Sequence, residues 1–307
     1  MPVPDAAALT VGGPDVATLI SAAAARLREA GSESPRLDAE LLVGHAYGRN
    51  RAWLHAHPDA ALATSDAVTL AGWVDRRAAG EPIAYIRGFK EWFSLRIATD
   101  SRALIPRPET ELLATTAISE IAARLVRDDE PIRVWEVGTG SGALILAMAL
   151  RFRTAAALAR VRLAASDVSA EALELAAENL AAHGVAGLVT LACGDLLDPP
   201  ALPGGPVDLV VANLPYLTSG EAAAGVGSLA WEPRGALDGG TDGLDLLRRL
   251  IARLPDRLAP GGVALLEIGA AQAAAVREIA EALPIRVAVT ILPDLVGIER
   301  VVRVARR

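Results

Sequence analysis

The stretch Arg133-Val-Trp-Glu-Val-Gly-Thr-Gly-Ser-Gly142 decides the fold of this 307-residue chain. An apolar run breaks into a glycine-rich turn, and a helical pattern begins near residue 142. Glycines let the backbone approach a ligand closely, and the first turn of a helix presents free N–H groups. The stretch therefore predicts a strand, a turn and a helix that together bind a nucleotide-like cofactor.

The chain around this stretch alternates between strand and helix patterns, which indicates an α/β fold with a doubly wound sheet. Strands are predicted near residues 132–137, 160–166, 188–193, 206–212, 262–268, 285–292 and 299–305. Helices are predicted near residues 142–153, 169–183, 243–257 and 270–283. Only a short loop, Pro293 to Ile298, joins the last two strands, so these strands must be antiparallel. A mostly parallel seven-stranded sheet that ends in an antiparallel hairpin is the usual Rossmann-like topology of class I methyltransferases.

Residues 1–80 show the pattern of a small helical domain. Asp15 can cap a first helix, and Ser34-Pro35 opens a second, on which Leu37, Leu41 and Leu42 are expected to face inward. A further helix is predicted from about residue 65 to residue 79. The domain is either a packing cap or a docking module for a macromolecular substrate, and the sequence favours neither.

Residues 81–105 form a linker with a different composition, in which Gly88 is expected at a turn. Residues that favour β-structure are frequent in it: Ile83, Tyr85, Ile86, Phe89, Trp92, Phe93, Leu95 and Ile97. The third segment, residues 106–307, begins in Ile105-Pro-Arg-Pro-Glu-Thr-Glu111, where the prolines hold Ile105 and Arg107 extended. This proline-rich stretch is either a rigid linker or a stiff wall of an active site.

Acidic residues stand at the ends of three successive predicted strands. Glu136 precedes the glycine turn, Asp167 ends the second strand and can accept hydrogen bonds from ribose hydroxyls, and Asp195 with Leu196 ends the third. The acid of this last pair can accept from an adenine amino group while the leucine covers the ring. Three acids suit the cationic sulfonium of S-adenosylmethionine better than a pyrophosphate. The alternative is that they are helix caps.

The fourth predicted strand ends in Asn213-Leu-Pro-Tyr216, at the sheet edge where such folds bind ligands. An amide nitrogen is a poor nucleophile because its lone pair is delocalised. A site can help by accepting both N–H bonds and holding the nitrogen in line with the methyl donor. The side-chain oxygen of Asn213 and the carbonyl of Leu214 are candidate acceptors, Pro215 helps to aim that carbonyl, and Tyr216 can lie against the planar group.

The overall composition argues against several classes of protein. The net charge of −7 does not suggest a surface that binds nucleic acid stably. Cys193 is the only cysteine, so an intrachain disulfide is excluded and a reducing cytoplasm is the simplest setting. Charges interrupt every alanine-rich segment well short of a membrane span. His55 and His57 lack nearby partners, and we assign no metal site to them.

The chain resembles the HemK/PrmC family, the protein-(glutamine-N5) methyltransferases of peptide-chain release factors. The resemblance covers almost the whole chain and is carried by these motifs: Ile105-Pro-Arg-Pro-Glu-Thr-Glu111, Glu136-Val-Gly-Thr-Gly-Ser-Gly142, Asp167-Val-Ser169, Gly194-Asp195, Asn213-Leu-Pro-Tyr216, Glu232-Pro-Arg-Gly-Ala-Leu237, Gly239-Gly-Thr-Asp-Gly243, Leu266-Glu-Ile-Gly269 with Gln272, and Asp294-Leu-Val-Gly297 before Arg300. It implies an N-terminal substrate-docking domain, a β-hairpin linker and a catalytic domain. The implied reaction methylates the glutamine of the release factor's Gly-Gly-Gln loop, with S-adenosylhomocysteine as the second product.

Site residues carry over position by position. The cofactor contacts would be Glu136, Gly138, Thr139, Gly140, Ser141, Gly142, Asp167, Asp195, Leu196 and Asn213. The catalytic and glutamine-binding residues would be Asn213, Leu214, Pro215 and Tyr216, and Arg107 would also contact the substrate. Three positions depart from the family pattern: Leu214 replaces the first of two prolines, Glu136 stands where Asp is usual, and Trp135 replaces a usual leucine. We expect a monomer whose partner is a release factor.

Two other functions stay open at this point. Asn-Leu-Pro-Tyr also resembles ribosomal RNA adenine dimethyltransferases, and an adenine amino group presents the same flat pair of donors. A nucleic-acid adenine-N6 methyltransferase would bind RNA or DNA in a salt-sensitive way. A non-catalytic protein in which Leu214 closes the pocket would bind S-adenosylmethionine without turnover.

Overall fold

We analysed the fold in a computed structural model, which describes residues 13–198, 205–225 and 227–307. The chain divides into two compact units, one ending at Gly88 and the other beginning at Phe89. The segment boundaries proposed after residues 80 and 105 remain predictions about function.

The first unit is helical. Its elements are α1 (Val16–Glu29), α2 (Pro35–Tyr47), α3 (Arg51–Ala56), α4 (Thr64–Ala78) and α5 (Ile83–Arg87). Asp15 caps α1 as predicted, because its carboxylate accepts a hydrogen bond from the backbone N–H of Thr18 at 2.8 Å. Apolar side chains spaced at helical intervals form the core, among them Ile20, Leu27, Leu42, Leu54, Leu70 and Val74.

The prediction that Leu37 faces inward is wrong. Leu37 is exposed, whereas Asp38 and Glu40 on the same helix are buried. Burial of these acids is possible because each has a cationic partner: Arg77 donates to Asp38 and Arg51 donates to Glu40, both at 2.8 Å. A pattern based on hydrophobicity alone could not anticipate acids on the inner face of α2.

The β-prediction for residues 83–87 is also wrong, since this segment is the short helix α5. Pro82 immediately precedes it, where the missing N–H of proline costs no helical hydrogen bond, and Gly88 ends it in the left-handed region (φ +73°). β-structure begins only at Phe89, in the antiparallel hairpin of β1 (Phe89–Trp92) and β2 (Leu95–Ala98). Pro82 and Gly88, which flank this segment, therefore determine its helical structure despite the β-favouring side chains between them.

The rest of the second unit is one seven-stranded sheet with helices on both faces. Its strands are β3 (Ile132–Val137), β4 (Val161–Asp167), β5 (Val189–Cys193), β6 (Val207–Ala212), β7 (Leu258–Glu267), β8 (Val287–Pro293) and β9 (Glu299–Arg306). Its helices are α6 (Thr110–Arg127), α7 (Ala143–Arg151), α8 (Ala155–Leu158), α9 (Ala170–Ala182), α10 (Ser219–Ala224), α11 (Asp245–Arg257) and α12 (Ala273–Glu281).

The strand order is β5-β4-β3-β6-β7-β9-β8, and only the pairs that include β9 are antiparallel. The predicted class I methyltransferase topology, with its antiparallel terminal hairpin, is confirmed. Among the described residues, no helix combines the length and apolar character that a bilayer crossing requires.

The central strands are mostly apolar because both of their faces are covered. Along β6, Leu209 and Val211 pack into the core beneath α6 and α7, while Val210 and Ala212 pack into the core beneath α11 and α12. All four are fully buried. The order of the strands reverses between β3 and β6, so a crevice opens beyond their carboxyl ends, and the glycine turn and Asn213 border it.

Candidate active site

The glycine turn after β3 is held tightly by its neighbours. The backbone N–H groups of Gly138 and Thr139 both donate to the carbonyl of Ser166, at 2.8 and 3.0 Å. Gly138, Gly140 and Gly142 all have positive φ angles. A Cβ on Gly142 would lie 2.9 Å from the Cβ of Ala176, so glycine here lets α9 pack against the turn.

A cavity of about 380 Å³ lies between this turn and the end of β6. Most of the predicted site residues line it: Arg107, Glu136, Gly138, Thr139, Gly140, Ser141, Asp167, Asp195, Leu196, Asn213, Leu214 and Pro215. Gly142 and Tyr216 are predicted site residues that do not line it. The structure therefore brings residues from four separate strand ends to one cavity.

Asp167, at the end of β4, supports the turn from the side. Its two carboxylate oxygens accept hydrogen bonds from the backbone N–H groups of Gly140 and Ser169, both at 2.9 Å. A carboxylate has about four acceptor positions, so acceptor capacity remains for a ligand hydroxyl. Asp167 thus shapes the glycine turn and still faces the cavity.

Glu136 lies beneath the turn and is almost fully buried. Thr139 donates its hydroxyl proton to the Glu136 carboxylate at 3.0 Å. Burial raises the pKa of Glu136 to about 8, although the hydrogen bond from Thr139 opposes the shift. At neutral pH this side chain is therefore mostly protonated until a positive charge comes close.

Asp195 and Leu196 follow β5 and border the cavity on its far side. The Asp195 carboxylate is paired with the guanidinium of Arg249 on α11, and both side chains are about half exposed. Leu196 is buried and has a φ of +48°, which turns the chain around the cavity. Arg249 is a partner for Asp195 that the sequence did not reveal.

Asn213 follows β6 and directs its amide nitrogen at Thr110, which also belongs to the cavity wall. Its Nδ2 donates to the Thr110 hydroxyl at 3.0 Å, and no described residue donates a hydrogen bond to its Oδ1. The next residue, Leu214, is buried against the glycine turn, and a Cβ on Gly138 would lie 2.9 Å from Leu214 Cδ2. An acceptor atom of Asn213 is therefore available beside the turn.

Tyr216 lies behind the cavity and is held by Gln272. The Nε2 of Gln272 donates to the backbone carbonyl of Tyr216 at 3.0 Å and to that of Gly243 at 3.2 Å. The side-chain oxygen of Gln272 accepts from Gly269 N–H at 2.9 Å. This one amide joins the Asn-Leu-Pro-Tyr loop to the Gly239–Gly243 segment and fixes the backbone path after Pro215.

The proline-rich stretch forms part of the cavity wall, with Pro106 and Arg107 among the lining residues. Glu232, whose side chain is fully buried, holds the stretch in place: its carboxylate accepts from Ile105 N–H at 2.9 Å and from the Arg107 guanidinium at 2.5 Å. Trp92 Nε1 donates to the Arg107 carbonyl at 2.8 Å. Arg107 is therefore anchored on Glu232, at the border of the cavity.

Sequence reasoning missed three polar residues near this site: Thr110, Asn179 and Glu267. Buried Asn179 on α9 donates to the carbonyls of Ser141 and Ala98 and accepts from Ala98 N–H, so it ties the glycine turn to the hairpin. Glu267 is buried at the end of β7. The only advance signal for Glu267 was its place in the Leu-Glu-Ile-Gly motif.

The residues present fit S-adenosylmethionine. Gly138 and Gly140 line the cavity at positive φ and carry no side chain, and helix α7 begins directly after the turn. Asp167 offers acceptor positions for hydroxyl groups, and Glu136 supplies a latent negative charge. This combination of donors, acceptors and acids is suited to a ribose and a sulfonium.

Comparison with known proteins supports a division into an N-terminal domain and a methyltransferase domain. Residues 18–88 match a family described as PrmC N-terminal domain, and residues 134–231 match one described as Methyltransferase domain. The hMettl16 catalytic domain, solved in complex with a MAT2A 3′UTR hairpin, aligns with 78% of this chain and 81% of its own at a TM-score of 0.50. Its sequence identity is 16%, so the likeness concerns the fold alone.

The fold and the site together define a class I methyltransferase that uses S-adenosylmethionine. A release factor glutamine methyltransferase from Deinococcus radiodurans is 39% identical over 297 residues, which cover 94% of this chain and 97% of that protein. One from Moorella thermoacetica is 38% identical over 92% of this chain and 95% of its own. The chain belongs to the release factor glutamine methyltransferase family.

Proposed function

We propose that this enzyme transfers a methyl group from S-adenosylmethionine to the side-chain amide nitrogen (N5) of a glutamine in peptide-chain release factors. The glutamine is that of the Gly-Gly-Gln motif. One observation supports the proposal most directly: the amide nitrogen of Asn213 donates to the Thr110 hydroxyl, so its Oδ1, to which no described residue donates, is left to accept from a substrate NH₂ group. The names of the relatives support the same substrate.

The mechanism is mainly one of positioning. When bound, S-adenosylmethionine supplies an electrophilic methyl group. Asn213 Oδ1 and the carbonyl of Leu214 accept the two N–H bonds of the glutamine amide and orient its nitrogen toward that methyl group. Both acceptors also stabilise the positive charge that develops on nitrogen as the N–C bond forms and the S–CH₃ bond breaks. One N–H proton is then released to solvent, which leaves the neutral N-methyl amide beside S-adenosylhomocysteine. Pro215 borders the glutamine amide. Tyr216 lies on the far side of Pro215 from the cavity, and the Tyr216 ring packs against Gly269.

The cofactor contacts are proposed as follows. Backbone groups of the turn from Gly138 to Gly142 hold the amino-acid part, with Glu136 below them. Asp167 accepts from the ribose hydroxyls. Asp195, whose Oδ2 pairs with Arg249, accepts from the adenine amino group through its other carboxylate oxygen, while Leu196 covers the ring.

The three segments of the chain have separate tasks in this proposal. Residues 1–80 dock the release factor, residues 81–105 link the domains, and residues 106–307 carry out catalysis. Arg107 contacts the substrate from the cavity wall. We further propose a cytoplasmic monomer that forms no stable complex with nucleic acid or membranes.

The test is methyl transfer from labelled S-adenosylmethionine to a purified release factor. The control substrate is the same release factor with the glutamine of its Gly-Gly-Gln motif changed to alanine. We expect label on the first and none on the second. The enzyme variant Asn213→Ala should bind S-adenosylmethionine and fold normally but lose at least about 100-fold in turnover, since it removes an acceptor at the reacting nitrogen.

Two outcomes would contradict the proposal. Equal labelling of both release factors would place the methyl group on another residue. No labelling of either, with cofactor binding intact, would favour an adenine-N6 methyltransferase or a non-catalytic protein. RNA substrates assayed over a range of salt concentrations would then separate these two alternatives.

A further inference from the structure

Glu267 is a buried acid to which the proposed mechanism gives no role. It ends β7 beside the end of β6, where Leu266 pairs with Ala212 in parallel register. Neither oxygen of its carboxylate has a hydrogen-bond partner among the described residues, and Glu267 is 1% exposed. Burying such a group without partners costs free energy, so its presence calls for an explanation.

Two polar side chains face Glu267: the hydroxyl of Thr110, at the start of α6, and the amide of Asn213. Both stabilise the ionised form of Glu267, although neither meets the distance and angle limits of a hydrogen bond to its carboxylate oxygens. Thr110 and Asn213 line the cavity, whereas Glu267 is not among the described residues that do. The three side chains therefore form a short row, in which Glu267 lies behind Thr110 and Asn213 and these two border the substrate position.

This row determines which way the Asn213 amide points. A threonine hydroxyl can donate or accept, so Thr110 alone could bond equally well to the nitrogen or to the oxygen of Asn213. A carboxylate can only accept. With Glu267 behind it, Thr110 is favoured to turn its proton toward the carboxylate and its lone pairs toward Asn213 Nδ2, from which it accepts in the observed 3.0 Å contact. Asn213 Oδ1 must then face the cavity.

The reverse orientation would oppose the proposed reaction. If Thr110 donated to Oδ1, the NH₂ group of Asn213 would face the cavity. That group would meet the NH₂ group of the substrate glutamine, so two donors would oppose each other and no acceptor would orient the reacting nitrogen. A small change in hydrogen-bond direction behind the site would thus remove the feature on which the chemistry depends.

We propose that Glu267 is a positioning residue that acts through Thr110 to hold the Asn213 amide with its oxygen toward the substrate. The proposal deepens the proposed function and rests on it for the identity of the substrate amide. It assigns a separate task to each member of the row. Asn213 touches the substrate, Thr110 transmits the direction of the hydrogen bonds, and Glu267 sets that direction.

The arrangement has a pH dependence. Burial raises the pKa of Glu267 to about 7; the nearby Glu109 adds to the shift, and Arg300 on β9 opposes it. Tyr216 also faces this group, and burial raises its pKa above the usual value, so it stays neutral near pH 7. Only the ionised carboxylate is purely an acceptor, because the protonated group can itself donate to Thr110. Turnover should therefore rise with pH through about 7.

The first experiment compares turnover on release factor for the wild type and Glu267→Gln from pH 5.5 to 8.5. We expect Glu267→Gln to lower kcat on the order of 10- to 100-fold and to remove the rise near pH 7. The KM for release factor and the affinity for S-adenosylmethionine should change by less than about twofold, because neither ligand contacts Glu267. Glu109→Gln is the matched control: it should keep the plateau rate and move the midpoint to lower pH.

Thr110 provides a second test that does not alter the buried acid. Thr110→Ser keeps the hydroxyl and should keep the rate within about threefold, whereas Thr110→Val removes it and should resemble Glu267→Gln. If Glu267→Gln does not fold, this pair decides the question alone. Equal rates for the serine and valine variants, or a normal kcat for Glu267→Gln, would overturn the proposal.

A third readout needs no substrate. The side-chain NH₂ signals of Asn213 in ¹H–¹⁵N spectra, assigned by their absence in Asn213→Ala, should titrate with a midpoint near 7 in the wild type and not in Glu267→Gln. Signals that do not titrate in the wild type would overturn the proposal. Because this measurement involves no release factor, it separates failure of the positioning role from failure of the proposed function.

Discussion

Leu214 and Gly138 are in direct contact, because the leucine side chain occupies the space that any larger residue at position 138 would need. An added Cβ would lie 2.9 Å from Leu214 Cδ2, and Gly138 has a φ of +73°. The loop proposed to hold the substrate amide and the turn proposed to hold the cofactor are thus packed together at one point. A change on either side of this contact is expected to reach the other.

The first prediction concerns this contact. Gly138→Ala should lower the affinity for S-adenosylmethionine by more than about tenfold, because alanine is strained at positive φ by about 1 kcal/mol and its Cβ also displaces Leu214. Isothermal calorimetry measures the change. Gly187→Ala is the matched control, since a Cβ there meets no heavy atom within 4 Å. Equal affinity in both variants would show that the turn can shift freely.

The second prediction concerns Asp167. Asp167→Ala removes an acceptor for ribose and also the partner of Gly140 N–H, so it should weaken cofactor binding on the order of 10- to 100-fold. Asp198→Ala makes the same change of charge on exposed Asp198, which does not line the cavity, and should leave the affinity unchanged. If both variants bind equally well, Asp167 does not contact the cofactor.

The third prediction uses the raised pKa of Glu136, which is about 8 in the protein without ligand. A cationic sulfonium nearby favours the carboxylate, so binding lowers this pKa and releases a proton. Affinity for S-adenosylmethionine should therefore rise as the pH approaches 8, by up to about tenfold per pH unit. S-adenosylhomocysteine lacks the sulfonium charge and should show a weaker rise.

Calorimetry in buffers of different ionisation enthalpy counts the released protons for each ligand. The proton release that is lost in Glu136→Gln belongs to Glu136, because each ligand brings the same amino group to both proteins. This lost share should be larger for S-adenosylmethionine than for S-adenosylhomocysteine. Identical proton release by the two ligands in the wild type would mean that Glu136 does not sense the sulfonium.

Glu136 should also affect stability without ligand. Its folded pKa lies above the unfolded value of about 4.5, so the folded state binds more protons between these two values. The contribution of Glu136 to the free energy of unfolding is therefore greatest below about pH 4.5 and is lost as the pH rises through 8. Glu136→Gln should flatten the decline in urea unfolding curves between pH 6 and pH 8.5.

The fourth prediction concerns the ion pair of Arg107 and Glu232. Arg107→Met leaves the Glu232 carboxylate buried without its charge partner and should lower the free energy of unfolding by about 3 kcal/mol. Adding Glu232→Gln should restore most of the loss, because the glutamine oxygen can still accept from Ile105 N–H. Urea denaturation measures both. A loss below about 1 kcal/mol in the single variant would mean that solvent screens the pair.

Much of the catalytic unit could be predicted because its signals are local. The strands of a sheet covered on both faces are continuous apolar runs, so β3 and β6 were placed within one residue. The loop from Pro293 to Ile298 is too short for a crossover, which fixed the antiparallel end of the sheet. The positions of the glycine turn and of Asn213 at one edge of the sheet could then be predicted, because the carboxyl ends of parallel strands lie at the same edge.

Other features depend on contacts that no local pattern encodes. The inward turn of Asp38 depends on its charge partner Arg77, which lies far along the chain. Thr110 reads as an ordinary residue at a helix start, and its role emerges only when α6 meets the end of β6. Similarly, the pairing of Asp195 with Arg249 joins residues more than fifty positions apart. Such partners are set by tertiary packing rather than by spacing.

The position of Asn179 has a consequence for motion. Its single amide bonds both strand β2, at Ala98, and the glycine turn, at Ser141. Neither segment can detach from this side chain without leaving a buried amide unsatisfied, so local opening of the hairpin and of the turn is coupled in one cooperative unit. Amide hydrogen exchange in the two segments should consequently slow together when a ligand occupies the cavity, although they lie about forty residues apart in the chain.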